Sequence, residues 1–141
     1  MSNTRKANIT DVELLESLEN SLRCHNNRFN EICVPEVSRG EILDNIVNGE
    51  IYNLLEFGQE CVGFIHYIPE RNEIEGIWIR EIARGLGYGS LLVGSVLNEN
   101  ISVECNCKDL DAIEFYKSIG FQVINQTKMV KLRFIMNNNI K

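Results

Sequence analysis

The chain has 141 residues, 44% hydrophobic and 24% charged, a composition typical of one globular domain with a sizeable core. Its formal net charge of −6, with a pI of about 5.0, argues against a nucleic-acid-binding surface; it is compatible with a cationic partner, and solubility explains it equally well. No apolar run reaches the length of a signal peptide or a membrane span, so a cytoplasmic location without a membrane partner is expected.

The first third of the chain predicts one short strand and two helices. We expect the strand at residues 5–9, before a helix that begins in a capping box at residues 10–13 and carries leucines on one face. The segment 23–37 is polar and irregular. A second capping box at residues 38–41 begins another helix with an apolar face, which ends at Gly49.

Three apolar runs in the middle of the chain predict strands joined by tight turns. The strands are expected at residues 51–57, 61–68 and 73–79. Turn residues separate them at positions 58–59 and 69–72. This spacing favours antiparallel hairpins.

Residues 84–89, with the sequence Arg-Gly-Leu-Gly-Tyr-Gly, follow the third of these strands and lead into an apolar stretch of helical spacing at residues 91–97. A glycine loop between a strand and a helix brings unpaired backbone amides together, which favours an anion. The glycines let a phosphate approach the main chain without meeting Cβ atoms, and Arg84 can add a charged donor at the rim.

The glycine spacing argues against the common nucleotide sites. A dinucleotide fingerprint needs glycines at its first, third and sixth positions, but here they are Gly85, Gly87 and Gly89, with Ser90 in the sixth position. The mononucleotide P-loop needs a Gly-Lys pair, which the sequence lacks. The loop by itself leaves two alternatives open, an anion site or a merely structural turn.

The last third predicts a strand, a helix and two further strands. Asp109 caps the helix, which ends at Gly120, and the element order becomes β-α-α-β-β-β-α-β-α-β-β, a mixed α/β arrangement. The expected strands are 101–105, 121–124 and 129–134, and residues 135–141 form a polar tail in which Asn137, Asn138 and Asn139 should fray.

The five cysteines do not form a metal-binding pattern. Only Cys105 and Cys107 are close in sequence, no Cys-x-x-Cys spacing occurs, and His25 and His66 lie far from that pair. We therefore expect no metal and reduced thiols packed in the core.

Two motifs together give the chain a specific resemblance. The first is an Arg/Gln-x-x-Gly-x-Gly/Ala loop, residues 84–89, after a strand that ends at Ile79. The second is Asn-x-x-Ala-x-x-Phe-Tyr-x-x-x-Gly-Phe, which appears at residues 109–121 with aspartate first. In this order and separation, they make residues 5–134 resemble the GNAT superfamily of acetyl-CoA-dependent N-acyltransferases. The resemblance implies an α/β fold: one domain with a mostly antiparallel sheet of about six to seven strands and about four helices.

The resemblance also implies a coenzyme A site. In this family the loop amides and the next helix bind the diphosphate, and the pantetheine arm pairs with the strand before the loop. Asp109 replaces the usual asparagine, so one contact to the arm is lost or moves to Asn106, and Glu81 replaces a frequent proline. The implied cofactor-binding residues are Ile77, Ile79, Arg84, Gly85, Leu86, Gly87, Tyr88, Gly89, Ser90 and Asp109.

Two catalytic residues follow from the same resemblance. Tyr116 matches the position whose phenol faces the thioester sulfur, and a tyrosine of pKa near ~10 keeps the proton that the leaving thiolate needs. Glu73 matches a glutamate that some branches use as the base; it and Glu75 should share a face with Ile77 and Ile79. The alternatives are a core aromatic for Tyr116 and a solvated strand end for Glu73.

The implied activity is direct transfer of an acetyl group from acetyl-CoA to a primary amine in a ternary complex. The alternative is a non-catalytic acyl-CoA-binding or regulatory module of the same fold. The acceptor site would come from residues 23–37 and 124–134, which carry no readable signature, and His25 is most simply a polar loop residue. A small amine, an amino acid, an antibiotic, a polyamine and a protein amine all remain open. Family members often pair, so a homodimer is compatible with the resemblance.

Overall fold

The computed structural model describes residues 2–136, which form one seven-stranded sheet with two α-helices packed on each face. The fold class and the element order agree with the prediction. Residues 137–141, with most of the predicted polar tail, lie outside the described residues. The strands are β1 (Ser2–Lys6), β2 (Ile51–Phe57), β3 (Glu60–Ile68), β4 (Glu73–Ile79), β5 (Ser102–Asn106), β6 (Phe121–Gln126) and β7 (Met129–Phe134), and the helices are α1 (Val12–Asn26), α2 (Arg39–Val47), α3 (Tyr88–Gly94) and α4 (Leu110–Ile119).

The sheet has the strand order β1-β2-β3-β4-β5-β7-β6. All neighbouring strands are antiparallel except β4 and β5, which run parallel. This parallel pair has only two residue pairs, Glu73 with Ser102 and Ile74 with Val103. Beyond Ile74 the two strands separate, and a wedge opens between them.

Two apolar cores lie on opposite faces of the sheet. Alternation along each strand divides the side chains between them, so Leu54 packs with α1 and α2 whereas Leu55 packs with α3 and α4. Phe64 and Ile65 divide in the same way, and all four side chains are fully buried. None of the helices in the described part is long and apolar enough to cross a membrane.

The entry into α1 differs from the prediction. The first strand spans Ser2–Lys6 rather than 5–9, and the cap is Asn8, not Thr10. Asn8 Oδ1 accepts a hydrogen bond from the Thr10 amide at 2.9 Å, and Asp11 Oδ2 accepts one from the Asn8 amide at 2.9 Å. This box begins a short 3₁₀ turn, so the α-helix itself starts at Val12.

The bounds of two helices also differ from the prediction. Helix α1 continues to Asn26, into the segment predicted to be irregular. Helix α3 begins at Tyr88 and ends at Gly94, although the apolar spacing ran from 91 to 97. Ser95 follows this glycine, and its hydroxyl donates to the Leu92 carbonyl at 2.6 Å, a local bond that competes with continuation of the helix.

Gly63 allows β3 to lie close to β4. A Cβ at this position would be 2.5 Å from the Trp78 carbonyl oxygen and 2.8 Å from Ile79 Cδ1. We expect Gly63→Ala to lower the free energy of unfolding by about 2 kcal/mol in urea denaturation, because the neighbouring backbone must shift. Gly94→Ala is the matched control, because a Cβ there meets nothing within 4 Å. Equal stability of the two variants would contradict this account.

Candidate active site

A cavity of about 820 Å³ opens in the wedge between β4 and β5. Its walls come from the carboxyl half of β4, the glycine loop, the start of α3, β5, α4 and the end of α1. Nine of the ten predicted cofactor-binding residues line this cavity. The tenth, Leu86, is 65% exposed and does not line it. The predicted residues that line the cavity are Ile77, Ile79, Arg84, Gly85, Gly87, Tyr88, Gly89, Ser90 and Asp109.

The glycine loop has the backbone conformation that an anion site requires. Gly85 has φ +79° and Gly87 has φ +83°, and a Cβ at either position would have no neighbour within 4 Å. Glycine is therefore required at both positions by the backbone conformation and not by packing. Within residues 2–136, the amides of Gly85, Leu86 and Gly87 donate no backbone hydrogen bond. The loop thus offers unpaired donors beside open space.

The two sequence motifs touch each other at the third glycine. A Cβ at Gly89 would lie 2.9 Å from two ring carbons of Phe115 in α4. The first turn of α3 therefore approaches α4 more closely than any other residue would allow. The Phe115 ring thus joins the start of α3 to the helix that carries Tyr116.

Arg84 is held against β4. Its guanidinium carbon lies 4.3 Å from the centre of the Trp78 ring, and its Nε donates to the Ile79 carbonyl at 2.9 Å. The sequence placed Arg84 at the rim of an anion site. In the structure its stacking and hydrogen bond leave the two terminal nitrogens as the donors at this rim.

The edge of β4 carries unpaired amides in the wedge. The Arg80 amide donates to the Val62 carbonyl at 2.8 Å, so Arg80 points its backbone groups toward β3. Backbone groups alternate sides along an antiparallel strand, so the amides of Ile77 and Ile79 point away from β3. On that side β5 pairs no further than Ile74. An extended ligand in the wedge would meet these donors.

Tyr116 combines a core ring with an uncommitted hydroxyl. The residue is 3% exposed, and its ring centre lies 5.0 Å from that of Phe115 and 5.2 Å from that of Phe121. Tyr116 lines the cavity, and within the described residues its hydroxyl has no hydrogen-bond partner. Burial raises the pKa of the phenol, so it stays protonated at neutral pH.

Asp109 and Asn106 are both engaged in structural contacts. Asp109 caps α4, because its Oδ1 accepts from the Ala112 amide at 3.1 Å. Asn106 donates from Nδ2 to the Phe29 carbonyl at 3.1 Å, and its Oδ1 accepts from the Lys108 amide at 3.0 Å. Asn106 therefore connects β5 with the segment that follows α1.

A β-bulge changes the direction of the β4 glutamates. The register of β3 and β4 passes from His66–Gly76 to Tyr67–Ile74 and leaves Glu75 without a partner. Ile74 and Ile77 consequently pack in the same core, while a Cβ at Gly76 would lie 2.7 Å from a side-chain carbon of α1. The prediction that Glu73 and Glu75 share a face with Ile77 and Ile79 is wrong, because the bulge interrupts the alternation of side chains.

Only one of these two glutamates lines the cavity. Glu75 does, whereas Glu73 lies at the start of β4 with its Oε1 3.5 Å from Arg71 Nη1. Glu75 is exposed to solvent as a residue, and the protein around its carboxyl excludes water only in part. Burial and then the nearby charge of Glu73 raise its pKa.

His25 belongs to α1 and also lines the cavity, although the sequence suggested a loop residue. Its ring centre lies 5.3 Å from that of Trp78, and Arg28 Nη2 is 3.0 Å from its Nε2. Burial and then Arg28 lower its pKa, so the ring is neutral and Nε2 accepts from Arg28. The free electron pair of Nε2 is therefore already engaged.

Comparisons with known proteins agree on one family. The model of the acetyltransferase (GNAT) family matches residues 15–121. None of the curated proteins is significantly similar in sequence.

Several solved structures have the same fold. The PaiA N-acetyltransferase of Thermoplasma acidophilum, in complex with coenzyme A, superposes with a TM-score of 0.79 at 15% identity over 96% of this chain and 99% of that one. The putative acetyltransferase yncA of Salmonella typhimurium, with acetyl-CoA, gives 0.77 at 14% identity over 97% and 95%. The ribosomal-protein-alanine N-acetyltransferase of Brucella melitensis gives 0.73 at 19% identity over 95% and 99%. At these identities the superpositions establish the fold.

Proposed function

Because the chain belongs to the GNAT acetyltransferase family, we propose that it transfers an acetyl group from acetyl-CoA to a primary amine, directly and in a ternary complex. The observation that supports this most is the composition of one cavity. Along it lie the open amides of the glycine loop, the unpaired edge of β4, the hydroxyl of Tyr116 and the carboxyl of Glu75. These are the groups that an anionic thioester donor and a cationic amine acceptor require.

The donor half of the site fits coenzyme A. Unpaired amides at Gly85, Leu86 and Gly87, and those of the first turn of α3, would hold the diphosphate. The amides of Ile77 and Ile79 would hold the pantetheine arm and polarise the acetyl carbonyl. When bound, acetyl-CoA supplies the acetyl group as an activated thioester.

The acceptor half needs a base, and we assign this role to Glu75. A primary amine is mostly protonated at neutral pH, so Glu75 takes one proton and leaves a nitrogen that forms the new C–N bond. Tyr116 donates its phenolic proton to the sulfur as the C–S bond breaks, and solvent restores that proton. The nitrogen loses its second proton to solvent as the amide forms, and Glu75 releases its own proton to solvent after turnover. The products are an amide, a free thiol and one proton, so atoms and charges balance.

Replacing Glu75 separates this assignment from the alternative base Glu73. We expect Glu75→Gln to lower kcat/KM for the amine by about 30-fold at neutral pH, and less at alkaline pH, where the amine loses its proton unaided. The carboxylate acts only above its pKa, so the raised pKa of Glu75 places an acidic limb in the pH profile of kcat/KM, and the variant loses this limb.

Glu73→Gln is the matched control. It removes a negative charge that raises the pKa of Glu75, so the acidic limb moves to lower pH while activity at neutral pH stays near that of the parent. If Glu73→Gln instead abolishes the limb and Glu75→Gln keeps it, the base is Glu73.

Turnover separates the enzyme from a binding module of the same fold. Incubation of the protein with acetyl-CoA and a panel of primary amines should release free thiol in proportion to acetylated amine. Calorimetric binding of coenzyme A without thiol release across the whole panel would favour the non-catalytic alternative.

A further inference from the structure

A second cavity, of about 360 Å³, lies beside the first one, and Glu75 lines both. It lies against α1 and α2, on the face of the sheet to which the bulge directs Glu75. The residues that line both cavities are Leu22, Asn26, Asn30, Glu75 and Gly76. A molecule whose reacting nitrogen is at Glu75 can therefore extend from the wedge into this second space.

The second cavity is acidic. Four carboxyl groups line it against the guanidinium groups of Arg23 and Arg71, a formal excess of two acidic groups, and burial raises the pKa of Glu19 as it does that of Glu75. His66 also lines it, but burial lowers the pKa of the imidazole and keeps the ring neutral. The four carboxylates belong to Glu19, Glu41, Glu50 and Glu75.

Glu19 in the wall of this cavity has a carboxylate oxygen without a donor. The residue is 6% exposed, and Arg23 satisfies only Oε2, from Nη2 at 2.7 Å and from Nε at 3.1 Å. Within the described residues, the buried Oε1 has no hydrogen-bond partner. A buried carboxylate oxygen without a donor is costly, so a positive charge in the cavity beside Glu19 would stabilise this carboxyl group.

Glu50 is held in place by His66. The imidazole Nε2 lies 2.7 Å from Glu50 Oε1, and the ring stacks on Tyr52 at 4.1 Å between centres. Because the imidazole is neutral, it donates a hydrogen bond without cancelling the charge of the carboxylate. Glu50 Oε2 has no hydrogen-bond partner in residues 2–136, which leaves it available to a ligand.

The spread of these carboxylates suits an extended cation better than a metal ion. No three His, Cys, Asp or Glu side chains of the described part lie close enough together to hold a metal. An aliphatic chain with an ammonium group at each end can instead place one nitrogen at Glu75 and the other among Glu19, Glu41 and Glu50.

We propose that the acceptor is a small aliphatic diamine or polyamine, acetylated at the nitrogen beside Glu75 and anchored through a second ammonium in the acidic cavity. This inference rests on the proposed function and names its acceptor class. One path then runs from the glycine loop along the β4 edge and Glu75 to the acidic cavity. It favours an anion at the glycine loop and a cation in the acidic cavity.

The test compares putrescine and spermidine with butylamine, which has the same carbon chain as putrescine but only one nitrogen. We expect kcat/KM to be about 30-fold higher for the diamine and the difference to shrink as salt rises. Glu50→Gln keeps an acceptor for His66 but removes the charge, and Glu41→Gln removes a half-exposed charge on α2. Each variant should reduce the ratio of kcat/KM for putrescine to kcat/KM for butylamine by about tenfold.

Glu13→Gln is the matched control, because Glu13 lies on α1 but its side chain is 80% exposed and outside both cavities. Glu13→Gln should show the same ratio of kcat/KM for putrescine to kcat/KM for butylamine as the parent protein. Equal kcat/KM for putrescine and butylamine would overturn the acidic anchor while leaving acetyl transfer intact, as would a peptide α-amine used as efficiently as putrescine. Absence of thiol release with every amine would instead overturn the proposed function.

Discussion

Tyr116→Phe is expected to lower kcat by about 10²-fold or more while leaving the affinity for acetyl-CoA close to that of the parent. The ring is packed between Phe115 and Phe121, and phenylalanine keeps that packing. Only the hydroxyl is lost, and it has no hydrogen-bond partner within residues 2–136. The loss should therefore appear in the chemical step and not in folding or binding.

Single-turnover kinetics with a saturating amine measures this step directly. Tyr67→Phe is the matched control, because it also removes a phenolic hydroxyl from the sheet region, one that donates to Asn72 at 2.7 Å outside both cavities. It should affect stability and leave kcat nearly unchanged. Unchanged turnover of Tyr116→Phe, under conditions where chemistry limits the rate, would remove Tyr116 from the role of acid.

Gly87→Val is expected to raise the dissociation constant of coenzyme A by on the order of 10²-fold. At φ +83° a β-branched residue is strained, so the loop must leave the conformation that brings its amides together. The open space beside Gly87, where we place the phosphates, would also receive the valine side chain. Titration calorimetry with coenzyme A measures the effect without requiring an amine.

Gly58→Val is the matched control for backbone strain. Gly58 has φ +66° in the turn between β2 and β3, and a Cβ there also has no neighbour within 4 Å. Both variants should lose a similar amount of stability, but only Gly87→Val should lose coenzyme A. An affinity equal to that of the parent in Gly87→Val would refute the assignment of the loop.

The fold was predictable because its signals are local. Turn residues and strand alternation placed β2 and β4 with their correct bounds, and the capping serine of α2 accepts from the Glu41 amide as expected. The glycine loop was predictable for the same reason, since positive φ at Gly85 and Gly87 is a property of the residues themselves. The two motifs together are specific enough to identify the family from the sequence, and the family model that matches residues 15–121 agrees.

The acceptor half of the site was not predictable, because it depends on contacts between distant segments. The bulge at Glu75 arises from the register of β4 with β3, and no residue pattern within β4 predicts it. It reverses the expected direction of Glu73 and Glu75. The acidic cavity likewise combines Glu19 of α1, Glu41 of α2 and Glu50, the residue before β2, and only the folded chain brings them together.

The two-residue pairing of β4 with β5 divides the sheet into a half of four strands and a half of three strands. Within each half all neighbouring strands are antiparallel, although β1 pairs with β2 across the two helices α1 and α2, and β5 pairs with β7 across α4 and β6. Beyond Ile74 the two halves share no strand pairing in the described residues, and the core beneath α3 and α4 joins them through side chains instead. A pantetheine arm bonded to the β4 edge, as we propose, would add backbone hydrogen bonds in this gap, so its binding would raise the stability of the folded domain.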